Sequence, residues 1–224
     1  PDVWKKSDFF NQYDFHKNLY EDYNYYFLTL NSDGNPKRII KRNDQNIYTI
    51  ISDFNAHLSH ELDLVNFIQS GSEWYGEEFD VNLVQNFNFD FPNISDNVYV
   101  DAEFATRSFS QCKLLFSYNG SVFAEEDLGV VGNGYLDDYV SLSNISGVIF
   151  NPDENFLDIE ITFERSSPSY KSWLNYLQLN TKRDLYLDGD QMYFRKWDLG
   201  DLNDNFTFEI SNCNSDYRVW DVTD

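Results

Sequence analysis

The sequence predicts an all-β fold, an antiparallel jelly-roll-like β-sandwich with one short helix, and three observations carry that prediction. Apolar residues alternate with polar ones over many short runs. Turn residues separate those runs at close intervals. A content of 42% hydrophobic and 18% aromatic residues in 224 supplies enough apolar mass for a sizeable core. Alternation of period two places one side of a strand in a core and the other in water, and many such strands divided by turns are the pattern of a sandwich.

The elements follow in chain order. YNYYFLTL (23–30) and KRII (37–40) predict a hairpin around Ser32, Asp33, Gly34 and Asn35. From Asp53 to Gly71 the residues Phe54, Leu58, Leu62, Val65 and Ile68 recur at three or four, which predicts a short helix closed by Gly71. Residues 1–69 thus read as an N-terminal segment, a hairpin plus a helix completing a preceding small β unit. The sandwich is predicted over 70–224. A chain that opens at Pro1 reads as a piece of a longer protein, with any targeting signal or anchor outside it.

Within the sandwich, FNFDF, VYVDAEF and KLLFSY predict strands, as do FLDIEITFER, DLYL, MYFR and TFEI. In FLDIEITFER, Leu157, Ile159, Ile161 and Phe163 share one face, and Asp158, Glu160, Thr162 and Glu164 the other. Val98, Val100, Ala102 and Phe104 oppose Tyr99, Asp101 and Glu103 in the same way. Turns are expected at Pro92-Asn93, Tyr118-Asn119-Gly120-Ser121, Asn133-Gly134, Asn151-Pro152 and Asp188-Gly189-Asp190. SGSEWYGEEF (70–79) reads as a structural corner: Gly71 ends the helix, Trp74 and Tyr75 anchor by burial, and Gly76 lets the chain turn into the next strand.

Charge excludes one class of function. A net charge of −22 with 16 basic residues cannot neutralise a phosphate backbone, so no nucleic-acid partner is expected. No apolar run is long enough for a membrane span. The chemistry-bearing residues yield no catalytic assignment. HLSHE holds His57, His60 and Glu61 in the wrong order for HExxH, although the two histidines would share a helical face. GVVGNG (129–134) is a loop rather than a dinucleotide fingerprint. Glu77 with Glu78, and Asp137 with Asp138, are neighbours on an alternating chain and face apart. No metal site is assigned and no cofactor is required; a metal on His57 and His60 and a structural calcium on the acids from Glu125 to Asp127 are both weighed against ordinary packing and solvated loops, which the spacing favours. Cys112 and Cys213 lie outside any zinc or nucleophile motif and are expected to be free thiols, with a disulfide in an oxidising compartment as the alternative if the strand ends that carry them are neighbours. The aromatics Trp74, Tyr75, Trp173, Tyr176 and Trp197 raise an alternative, a carbohydrate-binding module.

Three strings carry a family resemblance: SGSEWYGEEF, ITFERSSPSYKSWLNYLQLNTKRDLYLDGDQMYFR (161–195) and YRVWDVTD (217–224). Together they resemble the region before the peptidase domain in PorU-type sortases of the type IX secretion system, from about Trp4 to Asp224. The resemblance implies a parent protein that is a gingipain-type cysteine peptidase on the outer-membrane surface. Such proteins remove the C-terminal signal of cargo and attach the cargo to anionic lipopolysaccharide. The catalytic Cys and His of that family lie in the peptidase domain, so none is carried over to Cys112 or Cys213. Implied partners are the downstream peptidase domain, an outer-membrane barrel shuttle protein, other members of the attachment complex, and cargo signal domains. The expected role of this chain is accessory: scaffolding, substrate positioning or docking.

Overall fold

The computed structural model describes residues 3–6, 13–16, 23, 25, 27, 49–69, 71, 73–197, 199 and 206–221. Its strands in chain order are β1 (Val3–Lys6), β2 (Tyr13–His16), β3 (Thr49–Ile51), β4 (Asp53–His60), β5 (Glu78–Phe79), β6 (Val84–Asp90) and β7 (Val98–Arg107). They continue with β8 (Cys112–Tyr118), β9 (Ser121–Leu128), β10 (Ser141–Phe150), β11 (Phe156–Glu164), β12 (Lys171–Asp184) and β13 (Phe206–Phe208). Among the described residues there is no helix, and so none that is long and apolar enough to cross a membrane.

Two antiparallel sheets form the sandwich. The first runs β10-β7-β12-β4, with β5 extending the β4 side along the start of β12, and the second runs β6-β11-β8-β9. Numbering the eight long strands in chain order, β4 then β6 to β12, gives sheet orders 1-8-3-6 and 2-7-4-5. This is the order of a jelly roll, in which nearly every connection crosses between sheets. Of these eight strands, β8 and β9 alone are joined as a hairpin within one sheet. Asn119 and Gly120, both at positive φ (49° and 73°), make its two-residue turn, the geometry that matches strand twist.

The core lies where the two sheets face each other. Val98, Val100, Ala102 and Phe104 of β7 and Leu174, Leu177 and Leu179 of β12 meet Leu114 and Phe116 of β8 and the four apolar residues of β11, all buried. Phe87, Phe89 and Phe91 close one side. DLYL is not a strand of its own: Asp184 ends β12, Tyr186 makes a single bridge to Ser211, and Leu185 and Leu187 are buried, while TFEI contributes β13, which pairs in parallel with β3. MYFR is not a strand; it makes only a single bridge, Arg195 to Asn55.

The helix predicted from Asp53 is corrected to β4. Phe54 and Leu58 satisfy a spacing of four, but Ala56 lies between them on the same inward face, and the run pairs with β12 from Leu177↔His60 to Asp184↔Asp53. Tertiary pairing overrides the helical period. Residues 53–60 are therefore part of the first sheet. The hairpin expected around residues 32–35 falls outside the described residues.

Candidate functional site

Tyr75, at the centre of SGSEWYGEEF, sits on the outer face of the first sheet. Tyr75 bridges Val65, whose N–H and that of Leu64 both donate to the Tyr75 carbonyl (2.8 and 2.9 Å), while Tyr75 N–H donates back to Val65 (2.8 Å). Its ring stacks on Phe67 at 4.7 Å, and Phe67 meets Trp173 edge-on at 4.8 Å. With Ala105 these residues make a second apolar cluster, separate from the main core. Burial, then Glu73 and Glu103, push the Tyr75 hydroxyl up to about 12. Gly76 is a close approach: its N–H donates to Leu174 O at 2.6 Å, and an added Cβ would lie 3.1 Å from Leu62 O.

Two of the predicted anchors need correction. Trp74 is 40% exposed, because neighbours on an extended chain face opposite ways and Tyr75 takes the inward side. Gly71, at φ 87°, makes an exposed turn rather than a helix end.

At the other end of the same face, β2 is fastened to the sheet. Tyr13 N–H donates to Asn180 Oδ1 (2.8 Å) and Asn180 Nδ2 donates to Tyr13 O (3.2 Å). The Tyr13 ring lies between His57 (3.9 Å) and Trp197 (3.7 Å). Burial, then the charge of Arg195, hold His57 down to about 4, so it is neutral near pH 7. His60 faces the opposite side of β4, where its Nε2 lies 2.7 Å from Glu77 Oε1 and its ring meets Phe87. A strand separates what a helix would have joined. Among the described residues no group of three or more His, Cys, Asp or Glu is placed to hold a metal.

The outer face of the second sheet is different in kind. Register aligns Asp158, Glu160 and Glu164 of β11 with Asn88 and Asn86 of β6 and with Ser117 and Lys113 of β8. Glu125 and Asp127 of β9 extend this face, Glu125 pairing with Lys113 at 3.2 Å. Glu126 lies opposite Leu114 on the other side of β9, so the three acids considered for calcium do not converge. Glu77 and Glu78 also part: Glu78 pairs with Lys171 at 2.8 Å. Asp137 accepts from Gly134 N–H.

Both cysteines are free thiols, Cys112 buried and Cys213 exposed. Burial pushes the Cys112 thiol up, the reverse of an activated nucleophile. The aromatics considered for sugar binding do not share a platform. Tyr75 and Trp173 are buried together, Trp197 covers Tyr13 at the far end, and Trp74 points outward.

No protein-family model matches the chain, and no curated protein matches it. Among solved structures, the crystal structure of dimeric latent PorU from Porphyromonas gingivalis aligns with a TM-score of 0.74 at 18% identity, over 96% of this chain. The chain shares its fold with part of PorU. It spans 21% of the PorU chain, so the alignment concerns one region of a much longer protein. The carbohydrate-binding module CBM36 in complex with calcium and xylotriose aligns over 55% of this chain and 98% of its own, at 10% identity and a TM-score of 0.34. The CBM36-1 domain of a multidomain xylanase from the hindgut metagenome of Trinervitermes trinervoides aligns over 56% of this chain and 95% of its own, also at 10% identity, with a TM-score of 0.33. These two likenesses are too slight to bear on function. The PorU alignment takes in both the sandwich and most of what precedes it.

Proposed function

We propose that this chain is a non-catalytic accessory module of a PorU-like cell-surface protein, serving scaffolding, substrate positioning or docking. The observation that carries this reading is the fold shared with PorU over 96% of the chain, which agrees with the resemblance of SGSEWYGEEF, residues 161–195 and YRVWDVTD to PorU-type sortases. By that resemblance the parent protein is a gingipain-type cysteine peptidase at the outer-membrane surface. Its partners there are a barrel shuttle protein, other attachment-complex members and cargo signal domains. Inertness of this module is supported by Cys112, a core thiol whose ionisation burial disfavours. The acidic outer face of the second sheet suits contacts that weaken as salt rises.

The test is cleavage of peptides carrying cargo C-terminal signals, by this chain alone and by the chain joined to its natural downstream sequence. The reading predicts no cleavage by the chain alone and cleavage by the longer protein. Cleavage by the chain alone that Cys112→Ala or Cys213→Ala abolishes would overturn it.

A further inference from the structure

Three connections meet at one end of the sandwich. Ser141 and Ser172 both pair with Thr106, and Cys112 pairs with Leu128, so the turn after β7, the 129–140 loop and the start of β12 lie side by side. The 61–76 segment joins them through Phe67, whose ring lies 5.5 Å from Tyr139. Arg107 ties the group together: its guanidinium stands 4.2 Å over Tyr139 and 5.7 Å from Phe109, and Nη1 donates to Tyr139 O at 2.7 Å.

Of the inner rings of this belt Tyr75 and Trp173 are buried and Phe67 half-buried, whereas the outer residues are exposed. Tyr135 is 101% exposed, Leu136 91%, Tyr139 55% and Phe109 48%. The 129–140 loop, which carries Tyr135, Leu136 and Tyr139, is fastened at its base. Val131, itself buried, donates its N–H to Ser108 O (2.9 Å), and Gly129 N–H donates to Ser143 Oγ (3.0 Å). Asp137 and Gly134 bond to each other within the loop. A loop pinned at its base thus holds large apolar side chains in water, a pattern that marks interaction surfaces.

Charge selects the occupant. The cations at this end are committed, Arg107 to Tyr139, and Arg165 and Lys171 to Asp80 at 3.2 and 2.6 Å. Carboxylates accompany the belt: the charge of Glu73 acts on Tyr75, and Asp137 and Asp138 precede Tyr139 in a chain of net charge −22. A second copy would bring like charges together, whereas a basic rim would be drawn in. We propose that this loop end docks a protein partner whose contact face has an apolar centre and a rim of Lys or Arg. The proposal rests on the accessory reading above and names the partner chemistry that reading leaves open.

The test titrates the isotope-labelled 224-residue chain with two synthetic peptides that share one Trp/Leu core, one flanked by lysines and the other by glutamates. Expected are amide shifts at 107–109 and 134–140 with the lysine-flanked peptide. Its affinity should exceed that of the glutamate-flanked peptide about tenfold or more, and fall with added salt. The double variant Tyr135→Ser, Leu136→Ser should weaken it by a similar factor at an unchanged melting temperature. Absent binding, shifts centred elsewhere, or equal affinity for both peptides would overturn the proposal. So would a dimer in sedimentation that the double variant dissolves, or displacement of the peptide by xylo-oligosaccharides. The cleavage assay does not depend on these side chains, so either reading can fail without the other.

Discussion

The two sheets are alike on their inner faces and opposite on their outer ones. The first buries polar groups there: Asn55, Asp101, Gln178 and Asn180 are all at or below 9% exposure. Tyr13 and Trp197 cover one end, and Tyr75, Phe67 and Trp173 the other. The second sheet leaves Asp158, Glu164, Glu125 and Asp127 in water. One sheet is therefore the middle layer of three, while the other is an ordinary half-solvated face. A buried polar row is tolerated only where it is hydrogen-bonded, and Asn180, bonded twice to the Tyr13 backbone, shows how the covering segment meets that need.

The largest expected effect comes from the shared inner face. Phe104→Ala, at a position with no exposure, should cost about 3–5 kcal/mol in chemical denaturation. Glu160→Ala, outward on β11, should change stability by less than about 0.5 kcal/mol. Similar losses from the two variants would break the inner and outer assignment.

Asn180→Ala sharpens the contrast between the outer faces. It removes both bonds to Tyr13 and leaves a buried N–H without its acceptor, a loss of about 1–3 kcal/mol. Asn88→Ala, on the bare face of β6, should be nearly silent. Equal effects in denaturant titrations would mean that β2 does not hold the first sheet.

A pH dependence follows from His57. Its folded-state pKa, about 4, lies below the ordinary 6.5, so the unfolded chain takes up a proton first. Its contribution is fully present above pH 6.5, declines as pH falls, and is lost through about pH 4. His57→Gln should flatten the stability profile across that window. A variant that keeps the wild-type slope would remove His57 as its source.

Among the aromatic substitutions the smaller effect belongs to Trp74→Ala. With 40% of the residue exposed, the loss should stay near 1 kcal/mol, below the about 3–5 of a buried tryptophan. Tyr75→Ala should cost more. The reverse order in thermal melts would restore Trp74 as the anchor of the corner.

What the sequence disclosed follows the alternation within each strand rather than the sheet it joins. β7 of the first sheet and β6, β8 and β11 of the second alternate plainly and are legible as strands. β9, β10 and β12 are not, and each contains or faces a register shift, at Phe116/Ser117, Ile145/Val148 and Leu174/Tyr176. A bulge puts Leu174 and Leu177 on one face at a spacing of three, which erases period two. β12 is also buried on both faces over much of its length, so polarity does not mark its sides. Gly71 and Gly76 mark the stretch between them as a change of chain direction in the sequence. That Tyr75 rather than Trp74 turns inward depends on the bridge to Val65, a pairing the local pattern does not encode.

The central claim, one outer face covered by the chain itself and the other bare, can be measured by carbodiimide labelling of carboxylates with mass-spectrometric readout. Asp101, 8% exposed on the outer face of the first sheet and accepting from Gly147 N–H at 3.2 Å, should stay unlabelled under native conditions, while Asp158, Glu164 and Glu125 on the second sheet label readily. Asn180→Ala should raise labelling of Asp101 and leave the second sheet unchanged. Labelling of Asp101 in the native protein at the rate of Asp158 would contradict the account.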